Sequence, residues 1–314
     1  MADPVSEALV TPAPGPASGP LSGKTRRMRA NGLLLLTAAI WGAAFVAQRV
    51  GMEHIGPMAF NGIRFTLGAL ALLPLAARSA GTAERPLGRR GALLVSLAAG
   101  CVLFLGASLQ QWGIVYTTAG KAGFITGLYV ILVPLLGLWF GQRPGIGCWI
   151  GALLAVAGLY LLSVEGDFSM QWGDVLVLIS ALFWAVHVLL VGAVSPRMNP
   201  VRFAMAQYAV CALLSLVSAF FLEETTLSGV TAAAVPILYG GLMSVGVAYT
   251  LQVVAQRDAH PAHAAIILSL EGAFAALAGW LLLDEVIPLR GLVGCGLMLA
   301  GMLAAQADEL RRPA

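Results

Sequence analysis

The sequence predicts an all-α integral membrane protein: ten transmembrane helices arranged as two inverted five-helix repeats. Three observations carry this expectation. Of 314 residues, 59% are apolar and only 11% are formally charged, against about a quarter charged in soluble domains. The apolar residues gather in ten runs of bilayer-crossing length, and the second five runs can be laid over the first five. A soluble globular domain is excluded, because its surface would need far more polar side chains. The low charge also argues against a disordered chain, and four cysteines are too few for a disulfide scaffold.

A helix crossing the hydrocarbon needs roughly 20 mostly apolar residues. Breaking the chain at Gly, Pro and charge clusters gives spans at 32–50, 58–77, 91–112, 119–140, 145–164, 175–194, 203–222, 230–254, 263–283 and 289–306. The runs are continuously apolar and do not alternate with period two, which argues against a β-barrel. Two charge-free stretches, 91–120 and 225–256, exceed one crossing. A turn is expected at the end of the first and at the start of the second. Cys101, Cys148, Cys211 and Cys295 all fall inside apolar runs and read as small packing residues.

The loops set the orientation. Lys24, Arg26, Arg27 and Arg29 precede the first span, and Arg78, Arg85, Arg89 and Arg90 follow the second. Arg143 follows the fourth, Arg197 and Arg202 the sixth, Arg257 the eighth, and Arg311 and Arg312 the tenth. These are 14 of the 18 Lys and Arg residues, all on one side. Glu165, Asp167, Glu223 and Glu224 lie in opposite loops. The positive-inside rule makes that basic side cytoplasmic and puts both termini there. The net charge of +3 is too small to argue for nucleic acid.

Residues 1–29 are expected to form a cytoplasmic tail, disordered in its Pro-, Ala-, Gly- and Ser-rich part up to residue 23. No apolar core precedes the basic cluster, so the tail does not read as a signal peptide. Residues 307–314 form a second cytoplasmic tail. Between the tails, residues 30–165 and 173–306 are the two repeats. At an offset of 143, Trp41 meets Trp184, Pro57 meets Pro200, Phe60 meets Phe203, Gly151 meets Gly294 and Gly158 meets Gly301. At 142, Leu109-Gln110 meets Leu251-Gln252 and Gly137 meets Gly279. Five helices is an odd number, so the second copy enters from the opposite side. Paired bundles of this kind open to either face around a midplane site, the architecture of many secondary transporters.

Two segments also carry a resemblance. Residues 111–135, QWGIVYTTAGKAGFITGLYVILVPL, and 268–301, LSLEGAFAALAGWLLLDEVIPLRGLVGCGLMLAG, resemble the third-to-fourth helix region and the repeat ending of EamA-type members of the drug/metabolite transporter superfamily. Residues 151–162, GALLAVAGLYLL, have the same character at the end of the first repeat. The resemblance covers about residues 30–306. It implies ten helices, two repeats of five, and export or exchange of small metabolites or drugs across a bacterial inner membrane. Two departures occur: Gly272 follows Glu271 where the family usually has Pro, and Gln142-Arg143 stands where an acidic residue is common.

Several polar residues fall at bilayer depth, where each needs a partner or water. Glu271 lies roughly 12 Å into the ninth span. It reads as a ligand for a substrate amine, as a carboxylate that takes up a proton when desolvated, or as a structural hydrogen-bonding group. Arg64 sits about 9 Å into the second span with Asn61 one turn before it. It can neutralise a substrate carboxylate, snorkel, or hold backbone carbonyls. Lys121 opens the fourth span and reads as an anion ligand or a snorkelling end residue; His260 and His263 read as interfacial. Trp41, Phe45 and Gln48 share one helix face, as do Ser180, Trp184 and His187. These stripes suit a pocket for amino acids, bases or amphipathic metabolites, or plain helix packing. His187 is also a candidate pH-sensitive group.

Gln110 and Gln252 match across the repeats, Tyr249 shares a face with Gln252, and Tyr129 matches Glu271 at an offset of 142. Substrate contact and interhelical glue account for these equally. The ridge Gly147, Gly151 and Ala155 reads as close packing, and Pro134 as a gating bend or a static kink. No catalytic residue, metal site or cofactor is expected: HExxH, GxSxG and an acidic metal cluster are all missing. No GxxxxGK[ST] is present either, so active transport would draw on an ion gradient, with protons the candidate, or on a substrate gradient. The competing classes are a non-transporting membrane scaffold, an intramembrane enzyme and a channel.

Overall fold

Within a bilayer an apolar run has no water to satisfy its backbone amides and carbonyls, so it winds into a helix. The structure, a computed structural model, describes residues 23–79, 87–117, 119–163, 171–283 and 286–311. Among them, nine helices are long and apolar enough to cross a membrane, and Ile146–Leu162 is a shorter apolar helix. In chain order the first half holds α1 (Gly23–Gly51), α2 (Pro57–Arg78), α3 (Arg89–Tyr116), α4 (Ala119–Gly127), α5 (Tyr129–Trp139) and α6 (Ile146–Ser163). The second half holds α7 (Trp172–Val194), α8 (Pro200–Leu222), α9 (Leu227–Ala232), α10 (Ala234–Leu238), α11 (Thr250–Ala255), α12 (Pro261–Leu268), α13 (Glu271–Leu283) and α14 (Leu289–Arg311). Between α10 and α11, Tyr239–Tyr249 winds as a π-helix.

The boundaries differ from expectation at both tails. Residues 23–29 are the first two turns of α1 and residues 307–311 the last of α14, because neither segment contains a helix breaker after Gly23. The rest of the N-terminal tail, Arg85, Glu165, Asp167 and Arg312 lie outside the described residues, as do the side chains of Lys24 and Arg311.

Two spans are discontinuous, and the sequence contains no proline to announce it. Between α4 and α5 the chain turns at Leu128, whose N–H reaches back only three residues, to the Ile125 carbonyl at 3.2 Å. Between α12 and α13 it turns at Ser269 and Leu270, with the Leu270 N–H on the Ile267 carbonyl, again at 3.2 Å. Pro134 lies inside α5, one and a half turns past the first break. Tyr129 and Glu271 therefore each begin a new helix.

Helix contacts run in pairs. α2 lies along α8, and α6 along α14. α1 packs on the π-helix and α11, while α7 packs on α3; α1 also touches α12 and α13, while α7 touches α4 and α5. The α6–α14 seam is the tightest. A methyl group at Gly158 would lie 2.5 Å from the Gly294 carbonyl oxygen, and one at Gly151 would lie 2.7 Å from that of Gly301. Small residues let these backbones meet. Gly158→Ala is expected to cost about 1–3 kcal/mol by overpacking. Gly296→Ala, where a methyl meets nothing within 4 Å, should leave the thermal unfolding midpoint in detergent unchanged or raise it.

The α2–α8 pair is tied at both ends. At one end the Glu223 carboxylate accepts the N–H groups of Met58 (2.7 Å) and Ala59 (2.8 Å) in the first turn of α2. Gly56 makes room for it, since a Cβ there would lie 2.3 Å from the carboxylate. At the other end the Asn199 amide donates to the Ser79 hydroxyl (2.6 Å), and Arg202 Nε donates to the Ala76 carbonyl (3.2 Å).

Candidate functional site

The two helix breaks meet at one cavity, which Tyr129 and Glu271 both line. The Tyr129 hydroxyl, at the start of α5, donates to Glu271 Oε1, at the start of α13, over 3.2 Å. An α-helix N-terminus favours negative charge, so the break in front of α13 suits a carboxylate at that depth. Glu271 is 6% exposed and lines the cavity. Arg64 on α2 lines it too and is 2% exposed. Its guanidinium carbon stands 5.4 Å from the Phe60 ring centre and 5.1 Å from that of Phe65. Among the described residues neither charge has an ion-pair partner, and Arg64 Nε has no hydrogen-bond acceptor.

Aromatic rings form the wall. Tyr249 is their centre: its ring lies 4.5 Å from Trp41, 6.0 Å from Trp184 in a stacked arrangement, and 5.9 Å from Phe65. Trp41 Nε1 donates to the Ser244 carbonyl (3.3 Å), while the Thr37 hydroxyl lies within hydrogen-bonding reach of both the Leu33 (2.9 Å) and the Ala248 (3.2 Å) carbonyls. α1 thus bonds the π-helix at Ser244 and approaches it at Ala248. Trp41, Phe45 and Gln48 line one wall together, as their spacing predicts. Gln110 donates to Thr126 Oγ1 (3.0 Å), whereas neither polar atom of Gln252 has a partner among the described residues. The lining thus draws on α1 to α5, α7, the π-helix and α11 to α13, while α6, α8 and α14 stand outside.

Two of the residues named from sequence, His187 and Asn61, are placed outside the lining. His187 lies behind the aromatic wall, its Nε2 2.8 Å from Gln207 Oε1 and its ring edge-on to Trp184 at 6.1 Å. Asn61 is buried one turn before Arg64, with both amide atoms unpartnered among the described residues. Lys121 falls in the first turn of α4, and its side chain lies outside the described residues. Ser180 bonds the Val177 carbonyl, and His263 meets Asn31 Oδ1 at 3.1 Å. Conversely, Thr126, Ser244 and Leu268 line the cavity without having been singled out. Thr126 and Leu268 stand three residues before Tyr129 and Glu271, on the other side of each break, and that matched spacing was the available signal. Ser244 enters through the π-helix, which no local sequence signal marks. No group of three His, Cys, Asp or Glu placed to hold a metal occurs among the described residues.

Comparison with known proteins agrees with this architecture. A solved crystal structure superposes with a TM-score of 0.74 over 90% of this chain and 99% of its own, at 16% identity, and so shares the fold. An uncharacterized transporter of Archaeoglobus fulgidus is 32% identical over 268 residues, 83% of this chain and 80% of the relative. The uncharacterized inner membrane transporter YedA of Escherichia coli K12 is 26% identical over 223 residues, 68% of this chain and 71% of its own. A probable terminal-alkyne amino-acid exporter of Streptantibioticus cattleyicolor is 26% identical over 289 residues, 89% of this chain and 94% of its own. The sequence model of one transporter family matches twice, at residues 28–164 and 171–305. A double match over most of the chain, on a fold that encloses a midchain cavity, identifies an integral membrane protein and secondary transporter of small molecules: the chain belongs to the EamA-like transporter family.

Proposed function

We propose that the protein exports small zwitterionic, amino-acid-like molecules, holding the substrate carboxylate at Arg64 and the ammonium at Glu271. The observation that carries this reading is a buried cation and a buried anion lining one cavity, neither paired with an opposite charge among the described residues. Burying either alone costs on the order of 2.5–3.5 kcal/mol on insertion scales, which a zwitterion offsets at both ends. The rings of Trp41 and Tyr249 supply a cation–π surface for the ammonium. The Streptantibioticus relative, described as an amino-acid exporter, has a substrate of this class.

Alternating access follows from two inverted five-helix repeats in a ten-helix carrier with both termini cytoplasmic. Support comes from the cavity lining, which pairs at constant offsets: Trp41 with Trp184 and Phe45 with Val188 at 143, Thr126 with Leu268 and Tyr129 with Glu271 at 142. The helix contacts pair in the same way, and the α6–α14 glycine contacts map onto each other when the halves are exchanged. The basic loops and the inner-membrane description of the Escherichia coli relative support the orientation and a bacterial inner membrane. Counterflow in proteoliposomes tests the substrate class. A neutral L-amino acid should exchange, and its methyl ester and N-acetyl derivative should each exchange at least tenfold more slowly. Equal exchange of all three overturns the reading.

A further inference from the structure

The two halves of the cavity are not equally occupied by their own hydrogen bonds. In the first half Trp41 Nε1 is bonded to the Ser244 carbonyl and Gln110 to the Thr126 hydroxyl. The matching residues of the second half are Trp184 and Gln252. Trp184 Nε1 and both amide atoms of Gln252 are buried without a hydrogen-bond partner among the described residues. The cause is local. The residue matching Thr126 is Leu268, which has no group to offer an amide. Both residues line the cavity, and Gln252 is 1% exposed.

The residues on either side of Gln252 reach α7: Tyr249, one turn before it, stacks on Trp184, and Gln256, one turn after it, donates to the Val188 carbonyl at 2.9 Å. Gln252 and Trp184 thus line the same cavity. Unmet donors and acceptors in a low-dielectric site are costly, and a ligand that supplies both relieves the cost.

We propose that Gln252 and Trp184 form a side-chain subsite that selects neutral amino acids whose side chain both donates and accepts a hydrogen bond, such as a hydroxyl or a carboxamide. The substrate oxygen accepts from Trp184 Nε1 and Gln252 Nε2, and its O–H or N–H donates to Gln252 Oε1. The first-half twins, Trp41 and Gln110, are structural because their bonds are already made. This selectivity rests on the headgroup reading above, with Arg64 and Glu271 holding the zwitterion. A site built to bond a polar group rejects the isostere that lacks it, since its own polar atoms are then left unpaired.

The test is proteoliposome counterflow by the full chain with two near-isosteric pairs, threonine against valine and asparagine against leucine. The wild type should prefer the polar member of each pair by roughly tenfold or more in kcat/KM. Leu268→Thr gives Gln252 the partner that Thr126 gives Gln110, and Trp184→Phe removes only the indole donor. Each should shrink the ratio of polar to apolar exchange within each pair to about threefold or less, a change of ratio that a merely structural role, lowering both members alike, would not produce. A wild type that moves both members equally overturns the subsite and leaves the headgroup reading standing. So does a preference that survives in both variants. A wild type that exchanges none of the four overturns the headgroup reading and the subsite together.

Discussion

Cells overproducing Glu271→Gln should enrich their medium in none of the compounds that the wild type exports, at equal abundance of the two proteins in the membrane. Glutamine keeps the size of the side chain and an acceptor for the Tyr129 hydroxyl, so the contact between the starts of α5 and α13 persists. What disappears is the negative charge beside the cavity. Removing one partner of a buried charge pair costs about 2–5 kcal/mol, so flux should fall on the order of 100-fold. Unchanged export would return Glu271 to a purely structural role. The same variant bears on coupling. If Glu271 carries a proton inward for each substrate exported, an acid-outside gradient accelerates the wild type and leaves the residual flux of Glu271→Gln unaffected. Wild-type flux that ignores the gradient removes proton antiport and leaves substrate exchange.

Arg64→Met should separate function from stability in opposite directions. The guanidinium is buried between the faces of Phe60 and Phe65, with no carboxylate partner among the described residues. A methionine fills similar volume without a charge to desolvate, so the detergent-solubilised protein should gain about 1–3 kcal/mol. Exchange of amino acids should fall by two orders of magnitude or more, because the substrate carboxylate loses its only buried cation among the described lining residues. Arg64→Lys should recover part of the loss, since an ammonium keeps the charge but not the planar stacking on the two rings. A stabilised variant that still exchanges at the wild-type rate would detach Arg64 from substrate binding. Strain of this kind, held at a site and not relieved by the fold, is a recurrent cost of function.

The spans were legible because hydrophobic runs and basic loops are set by the bilayer and its potential, and both are written residue by residue. Most of the cavity was legible for a related reason. A Gln, an Arg or a Glu at membrane depth is expensive, so Gln48, Arg64 and Glu271 announce an interior surface by their mere presence. His187 and Asn61 are equally expensive, yet they face away from the cavity, because depth fixes a residue's height in the bundle and says little about its azimuth. The breaks at Leu128 and Leu270 were not legible. Neither contains proline, and a single i→i−3 turn between ordinary apolar residues leaves no mark in the sequence. Thr126 and Leu268 drew no attention alone, because a threonine and a leucine are ordinary in an apolar helix. Their importance lies in how they differ at matching positions.

The π-helix at Tyr239–Tyr249 bears on how this chain tolerates changes in length. Elsewhere in a crossing helix, losing one residue rotates everything beyond it by about 100°, which would swing a lining face toward lipid. A π segment bonds each N–H to the carbonyl five residues back and so stores surplus chain in widened turns. Removal of one residue there can be absorbed by rewinding toward α, with Tyr249 and Gln252 kept in phase with Trp184. A single-residue deletion that would be ruinous at other depths is thus admissible in this stretch, which acts as a slack link in an otherwise fixed ruler.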